Sequence, residues 1–326
     1  MKFPRRSLLQ FAGAGLAAAA FSRVAAAQTY PTRPITMIVP LAAGGITDVV
    51  ARVVGERMRV SLDQPIIIEN VGGADGSIGA GRAARARPDG YTITIGFLGS
   101  HVVNGAYYSL PYDVINDFAP ISLLVTFPQV LFARKTMLAQ NLNELIGWLK
   151  SNPNRASAGA FAGGQRLLSA LFRKETGTQF TFVPYRGDAV AMQDLMAGQI
   201  DLLFYGVDSL PLARSGSIKA FVVTSDSRLV QAPEIPTMAE MGLPALSYST
   251  WFGLFAPKGT PRNIIGKLNA AVTEALADPA VRSRFIELGL EIFPRERQTP
   301  EALAALQRAD AAKWWPLINE FGIKAE

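Results

Sequence analysis

Short apolar runs alternate with segments of helical periodicity along this chain, and that alternation limits the possible folds more than any other feature. The first unit is the run Ile35–Val39, then the loop PLAAGGITD at 40–48, then a helix predicted over 49–60. Repeated units of this kind predict an α/β fold with largely parallel sheets. For a chain of 326 residues, we predict two α/β lobes rather than one sheet of about ten strands.

The same patterns place the remaining strands and helices. We expect further strands at 66–70, 91–97, 121–125, 129–133, 180–184, 200–205, 218–224 and 251–256. We expect further helices at 77–86, 142–150, 166–176, 189–197, 261–277 and 300–321. Pro128 separates the two runs at 121–125 and 129–133, and we expect the break to end one strand and begin another.

These elements predict a division of the chain into four segments. We expect a signal peptide at 1–27, the first part of lobe 1 at 28–124 and lobe 2 at 125–222. Residues 223–326 are predicted to return to lobe 1 and to end in helices. Two crossings between the lobes would leave a cleft, which is where ligands usually bind.

The first 27 residues have the pattern of an export signal. Lys2, Arg5 and Arg6 precede an apolar stretch at 8–21, and small residues up to Ala27 offer a cleavage site. The apolar stretch is shorter than the roughly 20 residues of a membrane-spanning helix. The sequence therefore predicts a periplasmic protein, exported by the twin-arginine or the general secretion route. An N-terminal membrane anchor is the alternative.

The net charge of the chain depends largely on that segment. The full chain has 32 lysines and arginines against 26 acidic residues, and four of the basic residues fall within 1–27. The remainder has a formal charge of +2, which gives no electrostatic support for nucleic-acid binding. The chain has no cysteine and a single histidine, His101, so we predict no metal site and no cofactor.

The loop 40–48 suggests an anion site. Gly44 and Gly45 give the backbone freedom and leave space for a ligand, and Thr47 or Asp48 is predicted to be the N-cap of the next helix. The unpaired amides and the dipole at such a helix start favour a carboxylate or a phosphate. A tight turn that binds no ligand is the alternative.

Two loops further along the chain repeat this logic. In the loop 183–188, Gly187 provides freedom, Asp188 can cap the next helix, and Tyr185 offers a hydroxyl and a flat apolar face. The glycine-rich stretch 157–165 is predicted to be a loop that opens a helix at Arg166. Arg166 could hold a carboxylate with two parallel hydrogen bonds, or it could be an ordinary surface arginine.

The strand predicted at 91–97 is followed by Ser100 and His101. At the carboxyl end of that strand, His101 could donate a hydrogen bond to a ligand, or it could be a hydrogen-bonded loop residue with no ligand. Asp75, Asp89 and Asp113 lie among turn residues, where we expect carboxylates to cap or close turns.

Signatures of catalysis are weak. The stretch 79–84 fits the G-x-G-x-x-A form of a dinucleotide fingerprint, but it has no strand directly before it and no acidic residue about 20 positions on. The sequence also has no phosphate-binding P-loop, no G-x-S-x-G nucleophile elbow and no H-E-x-x-H motif. We therefore do not predict an enzyme.

Three segments together resemble one family. PLAAGGITDVVARVV, IIIENVGGADGSIGA and RPDGYTITIG are similar to the Bug family, the extracytoplasmic solute-binding receptors of tripartite tricarboxylate transporters. The resemblance continues through VPYRGDAVAMQDLMAGQIDLLF and WFGLFAPKGTP. It implies a two-lobed periplasmic-binding-protein fold of type II, with two crossing segments and a carboxylate ligand held mainly by loop amides.

The resemblance also implies a set of ligand-binding positions. They lie in the first loop, after the third strand, at the start of the helix near 166, and in the loop that faces the first one. The expected residues are Leu41, Ala43, Gly44, Gly45, Ile46, Thr47, Asp48, Ser100, His101, Gly163, Gly164, Arg166, Tyr185, Arg186, Gly187, Asp188 and Ala189.

This chain departs from the family pattern in two places. The first loop usually reads P-F-x-P-G-G-P-x-D, and here Leu41, Ala43 and Ile46 replace the aromatic residue and two prolines. The stretch before the helix near 166 usually carries a hydroxyl residue followed by His-Leu, and here it has glycines and Arg166. A gained arginine suggests a different anion, such as a longer acid or a second carboxylate.

The expected function is reversible capture of a small organic carboxylate and its delivery to the membrane permease subunits of a tripartite transporter. The acid could be a di- or tricarboxylate, an amino acid or an aromatic acid, and we expect a monomer. A ligand-binding sensor of a regulatory system and a nucleotide-binding α/β enzyme are the alternatives.

Overall fold

The computed structural model describes residues 30–160, 163–185 and 188–323, and of Asp188 it describes the backbone alone. The predicted signal peptide, 1–27, lies outside these residues. The described strands are β1 Ile35–Val39, β2 Ile66–Asn70, β3 Thr92–Phe97, β4 Phe118–Arg134, β5 Ser157–Ala160, β6 Thr181–Pro184, β7 Leu202–Gly206, β8 Ile218–Val223, β9 Ser249–Pro257 and β10 Glu291–Ile292.

Helices and short helical turns connect these strands. The α-helices are α1 Ile46–Leu62, α2 Ser77–Ala84, α3 Asn104–Tyr107, α4 Leu142–Ser151, α5 Gly163–Thr176, α6 Asp188–Ala197, α7 Leu210–Arg214, α8 Arg262–Ala277, α9 Pro279–Glu287 and α10 Pro300–Glu320. Two of the short turns bear on the site, a 3₁₀ turn at Ala74–Gly76 and a π-helical turn at Gly99–Val103.

Strand β4 belongs to two sheets. Its first part, up to Pro128, pairs with β9, and from Gln129 onwards it pairs with β7 on one side and β8 on the other. The first sheet has the order β2-β1-β3-β9-β4 with β10 beside β4, and the second has the order β8-β4-β7-β5-β6. The chain therefore has two sheets joined by one 17-residue strand.

The prediction of two strands separated by Pro128 is wrong. Pro128 lies inside β4, opposite Ser249, at the last pair before the strand changes partner. A missing backbone N–H is tolerated there because the hydrogen-bond ladder is interrupted at that point in any case.

The prediction of largely parallel sheets holds only for the outer strands. Pairs β1–β2, β1–β3, β5–β6 and β5–β7 are parallel, whereas every pair made by β4 or β9 is antiparallel. The reason is topological: β9 returns from the second sheet and inserts between β3 and β4 of the first.

The helices bury apolar faces against these sheets. In α1, Val50, Val54 and Met58 are spaced by four residues and are fully buried, as expected for one face of an amphipathic helix. The C-terminal helix α10 also holds the π-helical turn after β3. Gln307 Nε2 donates to the carbonyl oxygen of His101 at 2.9 Å, and Trp315 Nε1 donates to that of Val102 at 2.9 Å.

Sequence patterns missed the two short helices α3 and α7 and the longer helix α9, and they misplaced the starts of α1 and α5. Helix α9 follows an Asp278-Pro279 pair, whose aspartate accepts hydrogen bonds from the amides of Ala280 and Val281. That pair is an N-cap followed by proline, a helix-start signal we did not use. Helix α5 begins at Gly163 rather than at 166, and 157–160 form strand β5 rather than a loop.

Among the described helices, none combines the length and the apolar character that a bilayer-spanning segment requires.

Candidate functional site

The loop after β1 leads directly into the exposed start of α1. The helix begins at Ile46 and its N-cap is Gly45, so the prediction that Thr47 or Asp48 caps it is wrong. Asp48 instead lies at the third helical position and reaches back, where its Oδ2 accepts from the Gly44 amide at 2.9 Å. Gly44 has a φ of +89°, a conformation that glycine adopts without strain.

Asp48 is also bound from two other sides. Arg52 Nε donates to its Oδ2 at 2.9 Å, and Asn70 Nδ2 donates to its Oδ1 at 3.0 Å and to the Leu41 carbonyl at 3.1 Å. Burial alone would raise the pKa of Asp48, but the hydrogen bonds from Arg52, Gly44 and Asn70 outweigh it and hold the pKa below its ordinary value. Asp48 is therefore the anchor that fixes the shape of the first loop.

Three amides at this helix start have no partner in the described part of the chain. No described residue accepts a hydrogen bond from the N–H of Gly45, Ile46 or Thr47, as expected for the first turn of an α-helix. Gly44 and Gly45 are exposed, and a Cβ added to Gly44 would meet no atom within 4 Å. These amides can bind an anion, whereas the Gly44 amide, which we expected to contribute, is already used by Asp48.

The start of α5 is buried, in contrast to that of α1. A Cβ added to Gly163 would lie 3.2 Å from the side chain of Val103 and 3.4 Å from that of Tyr107, both of which belong to turns that follow β3. A Cβ added to Gly164 would lie 2.5 Å from the hydroxyl of Tyr248. The helix therefore starts inside a contact between the two sheet systems, where side chains larger than glycine do not fit.

The carboxylate of Asp75 lies at this buried helix start. Tyr108 Oη donates to Asp75 Oδ2 at 3.2 Å. The Gly163 amide and the charge of Arg166 also act on this carboxylate. Burial raises the pKa of Asp75, although Tyr108, Gly163 and Arg166 each favour the charged form. We expected Asp75 to close a local turn, and its contact with α5, about 90 residues away, has no local sequence signal.

Arg166 lies between Asp75 and an open groove on the far side of α5. Its Nη1 is 3.5 Å from the Tyr107 hydroxyl. The groove has a volume of about 830 Å³ and is lined by Arg166, Arg173, Lys174 and the aromatic rings of Phe182 and Phe321, among others. It contains no residue of the first loop, so we do not place the ligand there.

Ser100 and His101 do not lie on an exposed surface. Both are fully buried, and the His101 ring stacks on Phe255 at 4.3 Å and packs against Phe118 at 4.5 Å between centroids. Its Nδ1 is 2.8 Å from Ser100 Oγ, and burial lowers the pKa of the imidazole to about 3. In this structure His101 is a buried, hydrogen-bonded residue, and its role as a donor to a ligand stays a prediction.

The loop that was expected to face the first one is only partly described. Arg186 and Gly187 lie outside the described residues, and Asp188 and Ala189 begin α6. The Tyr185 hydroxyl donates to Asp194 Oδ2 at 2.7 Å, and burial together with this partner raises the pKa of Tyr185 to about 12. Its proton is already used, so Tyr185 could offer a ligand its ring or an acceptor oxygen, but no hydrogen-bond donor.

Over the ranges 30–160, 163–185 and 188–323, no group of three or more histidine, aspartate or glutamate side chains is arranged to hold a metal ion. The site described above is thus built from backbone amides, two carboxylates and their arginine and tyrosine partners.

Comparison with known proteins decides the family. Residues 50–323 match the tripartite tricarboxylate transporter family receptor. The chain belongs to this receptor family. The BugT protein of Bordetella pertussis is 34% identical over 325 residues, which cover 97% of this chain and 98% of BugT.

Solved structures of similar proteins extend the comparison from sequence to fold. The periplasmic binding protein BugD is 36% identical to this receptor, with a TM-score of 0.80 over 91% of this chain and all of BugD. MatC from Rhodopseudomonas palustris, solved with bound malate, is 36% identical, with a TM-score of 0.80 over 89% of this chain and all of MatC. A further protein of R. palustris, solved with adipate, is 32% identical, with a TM-score of 0.82 over 91% of this chain and all of that protein.

These similarities confirm that this receptor has the two-lobed periplasmic-binding-protein fold of the Bug type.

Proposed function

We propose that this receptor binds a small organic carboxylate in the periplasm, reversibly and non-covalently, and delivers it to the permease subunits of a tripartite transporter. The family supports the role, and malate and adipate in two similar structures support the ligand class. The cleft would lie between lobe 1, formed by 28–124 and 223–326, and lobe 2, formed by 125–222.

One observation carries this proposal: the amides of Gly45, Ile46 and Thr47, at the start of a 17-residue helix, have no acceptor among the described residues. A ligand carboxylate at that point accepts two or three N–H bonds and is favoured by the helix dipole. Asp48 would repel an anion, but its charge is paired with Arg52 at 2.9 Å. The first lobe therefore offers a fixed anion cradle before any ligand arrives.

The second lobe supplies the remaining contacts with the ligand. We propose that residues 185–189 approach the ligand when the lobes close, with the exposed start of α6 at Ala189 facing the first loop. Closure selects ligands because only an acid contacted by both lobes stabilises the closed state relative to the open one. The closed form, and not the open form, would then dock on the permease.

The route to this location and the assembly state belong to the same proposal. Residues 1–27 would direct export by the twin-arginine or the general secretion route and be removed after Ala27. We propose that the receptor acts as a monomer, since each chain holds both lobes of one cleft.

A thermal-shift screen tests the ligand class directly. The protein is heated with a library of mono-, di- and tricarboxylates, amino acids and aromatic acids, each matched with its methyl ester or amide as the uncharged control. An acid present at 100 times its Kd should stabilise the protein by about 2.7 kcal/mol, and its ester should not. A library in which no acid stabilises the protein more than its ester would overturn the proposal.

Solution scattering tests the closure step. With a binding acid at saturation the radius of gyration should fall, and with the matched ester it should stay at the value of the free protein. A saturated protein with an unchanged radius of gyration would show that binding does not involve lobe closure.

A further inference from the structure

Asp75 lies in a turn whose backbone is held in an unfavourable conformation. Ala74 and Asp75 have φ values of 46° and 51°, in the left-handed region that costs energy for residues other than glycine. Asn104 Nδ2 stabilises the turn by donating to the Asp75 carbonyl at 2.9 Å and to Ser77 Oγ at 2.9 Å. The surroundings therefore fix the direction in which the Asp75 side chain leaves the turn.

The carboxylate of Asp75 links the first sheet system to the second. It accepts a hydrogen bond from Tyr108 Oη at 3.2 Å on its own side. On the other side the start of α5 packs against the neighbouring residues, since a Cβ added to Gly163 would lie 3.4 Å from the Tyr107 side chain. The Gly163 amide and the charge of Arg166 there favour the charged form of Asp75. A helix start with an unpaired amide and a nearby arginine favours an anion, and here the protein supplies that anion itself.

The turn that carries this carboxylate is also close to the first loop. A Cβ added to Gly76 would lie 3.2 Å from the carbonyl oxygen of Pro40, and one added to Gly72 would lie 3.4 Å from the amide nitrogen of Ala42. The turn that carries Asp75 is thus packed against the residues that lead to the amides of Gly45 to Thr47. A ligand held by those amides would extend towards a cleft wall that already carries a negative charge.

We propose that Asp75 is a specificity-determining residue of the receptor. Its carboxylate fills the anion position at the start of α5, so the cleft favours acids that have one carboxylate and an uncharged or positively charged far end. A second ligand carboxylate near α5 would meet a like charge and would find the Gly163 amide occupied. The inference rests on the proposed carboxylate-binding function and names the class of acid within it.

Two substitutions of Asp75 remove the charge and are compatible with the positive φ of the backbone. Asp75→Asn keeps the size of the side chain and is tolerated at positive φ, and Asp75→Gly adopts that backbone without strain. Asp63 offers a matched control because it is an exposed aspartate with the same φ of 51°, at the end of α1. Asp63→Asn changes the net charge by the same amount at a distance from the cleft.

Titration calorimetry with two acid pairs measures the effect. Butyrate is compared with succinate and hexanoate with adipate, each pair differing by one carboxylate, on the wild-type protein and the three variants. Wild type should bind the monoacid of a pair more tightly than the diacid. Both Asp75 variants should shift that ratio towards the diacid by about tenfold, and Asp63→Asn should leave it unchanged.

The inference is overturned if the ratio of monoacid to diacid affinity is the same in wild type, Asp75→Asn and Asp75→Gly. It is also overturned if wild type already prefers succinate and adipate. Failure of the proposed function gives a different result, because no acid in the thermal-shift library would then stabilise the protein more than its ester.

Discussion

The starts of α1 and α5 differ in the origin of the carboxylate beside them. At α1 the carboxylate is Asp48, four residues along the chain from the Gly44 amide that it binds, and the next three amides have no acceptor among the described residues. At α5 the carboxylate is Asp75, which comes from a turn on the other sheet system. A local partner shapes one helix start for a ligand, whereas a remote partner occupies the other.

This difference also sets what each end can do. The α1 start is preorganised and open, so it suits the first contact with an acid. The α5 start is buried against Val103 and Tyr107, so it is less accessible to a ligand than the α1 start. Substitutions at or near the two helix starts test this difference, and the largest expected effect comes first.

Acidification should have the largest effect on stability, through His101 in the π-helical turn after β3. The His101 ring is neutral and buried between Phe118 and Phe255, and burial lowers its pKa to about 3. Unfolded chains take up a proton on histidine below a pH of about 6.5, so the native state loses stability from that pH down to the folded pKa. Between pH 6.5 and pH 4 the loss from His101 should be about 3 kcal/mol.

Chemical denaturation at several pH values, with His101→Phe as the comparison, measures this loss. The variant keeps an aromatic ring but does not titrate, so the difference between the two proteins should change steadily below pH 6.5. His101 is the single histidine of the chain, and its NMR resonance in the folded protein should show no titration down to pH 4. A resonance that titrates near pH 6.5 would contradict the buried placement.

Loss of the local carboxylate at α1 should have the next largest effect. Asp48→Ala removes the acceptor for the Gly44 amide, Arg52 and Asn70. We expect a loss of about 2 kcal/mol in the free energy of unfolding. The first loop should also lose its fixed shape, so affinity for the acids found in the screen should fall by about tenfold.

Asp48→Asn is the matched control for that change. It keeps the shape of the side chain and an oxygen that can accept from the Gly44 amide, so it should retain more affinity than Asp48→Ala. Equal affinities of Asp48→Ala and wild type, measured by calorimetry, would show that the loop does not depend on its local anchor.

The sequence predicted the start of α1, whose partner Asp48 is local in the chain, better than the start of α5, whose partner Asp75 is distant. The run of residues 40–48 contains the strand end, the glycines and the acidic residue of the first helical turn, so its anion-binding character could be inferred from neighbours in the chain. The error concerned the detail: Asp48 binds the Gly44 amide from inside the helix instead of capping it. Such a shift of two or three positions is typical of helix boundaries predicted from sequence.

The contact between Asp75 and the start of α5 could not be predicted from local sequence patterns. The local sequence predicts that Asp75 is a turn residue, and only the fold brings it near Gly163 of α5. His101 also follows a strand end, where ligand contacts are common, but α10 and the rings of Phe118 and Phe255 bury it. The length of β4 depends in the same way on β9, which returns from a distant part of the chain to pair with it.

A smaller effect should come from the backbone of the first loop. Gly44 has a φ of +89° and no atom within 4 Å of an added Cβ, so Gly44→Ala meets strain but no clash. We expect a loss of about 1 kcal/mol in the free energy of unfolding, accompanied by weaker acid binding if the turn relaxes.

Gly45→Ala is the control for that substitution. Gly45 has a φ of −77°, which alanine adopts readily, and its added Cβ would come no nearer than 3.9 Å to the carbonyl oxygen of Ala42. Thermal denaturation should rank Gly45→Ala close to wild type and Gly44→Ala below it. The reverse order would place the strained residue elsewhere in the loop.

The smallest effect on stability should come from Asp75, and its sign is opposite to that of Asp48. Because burial raises the pKa of Asp75, the native state holds this proton up to a higher pH than the unfolded chain does. The stabilising contribution is present below the unfolded pKa of about 4 and is lost as the pH rises through the folded pKa. At neutral pH Asp75→Asn should therefore raise the free energy of unfolding by about 0.5 kcal/mol, a value kept small because solvent screens the half-exposed group.

Denaturation of wild type and Asp75→Asn at pH 7 and pH 3 separates this effect from that of Asp48. The advantage of Asp75→Asn should shrink at pH 3, where the wild-type carboxyl is protonated in both states. Asp48→Asn should be less stable than wild type at pH 7, because the pKa of Asp48 lies below its ordinary value and its charge stabilises the fold. If Asp75→Asn were also less stable at pH 7, the carboxylate at α5 would be a stabilising partner of the same kind as Asp48, and the distinction between the two helix starts would fail.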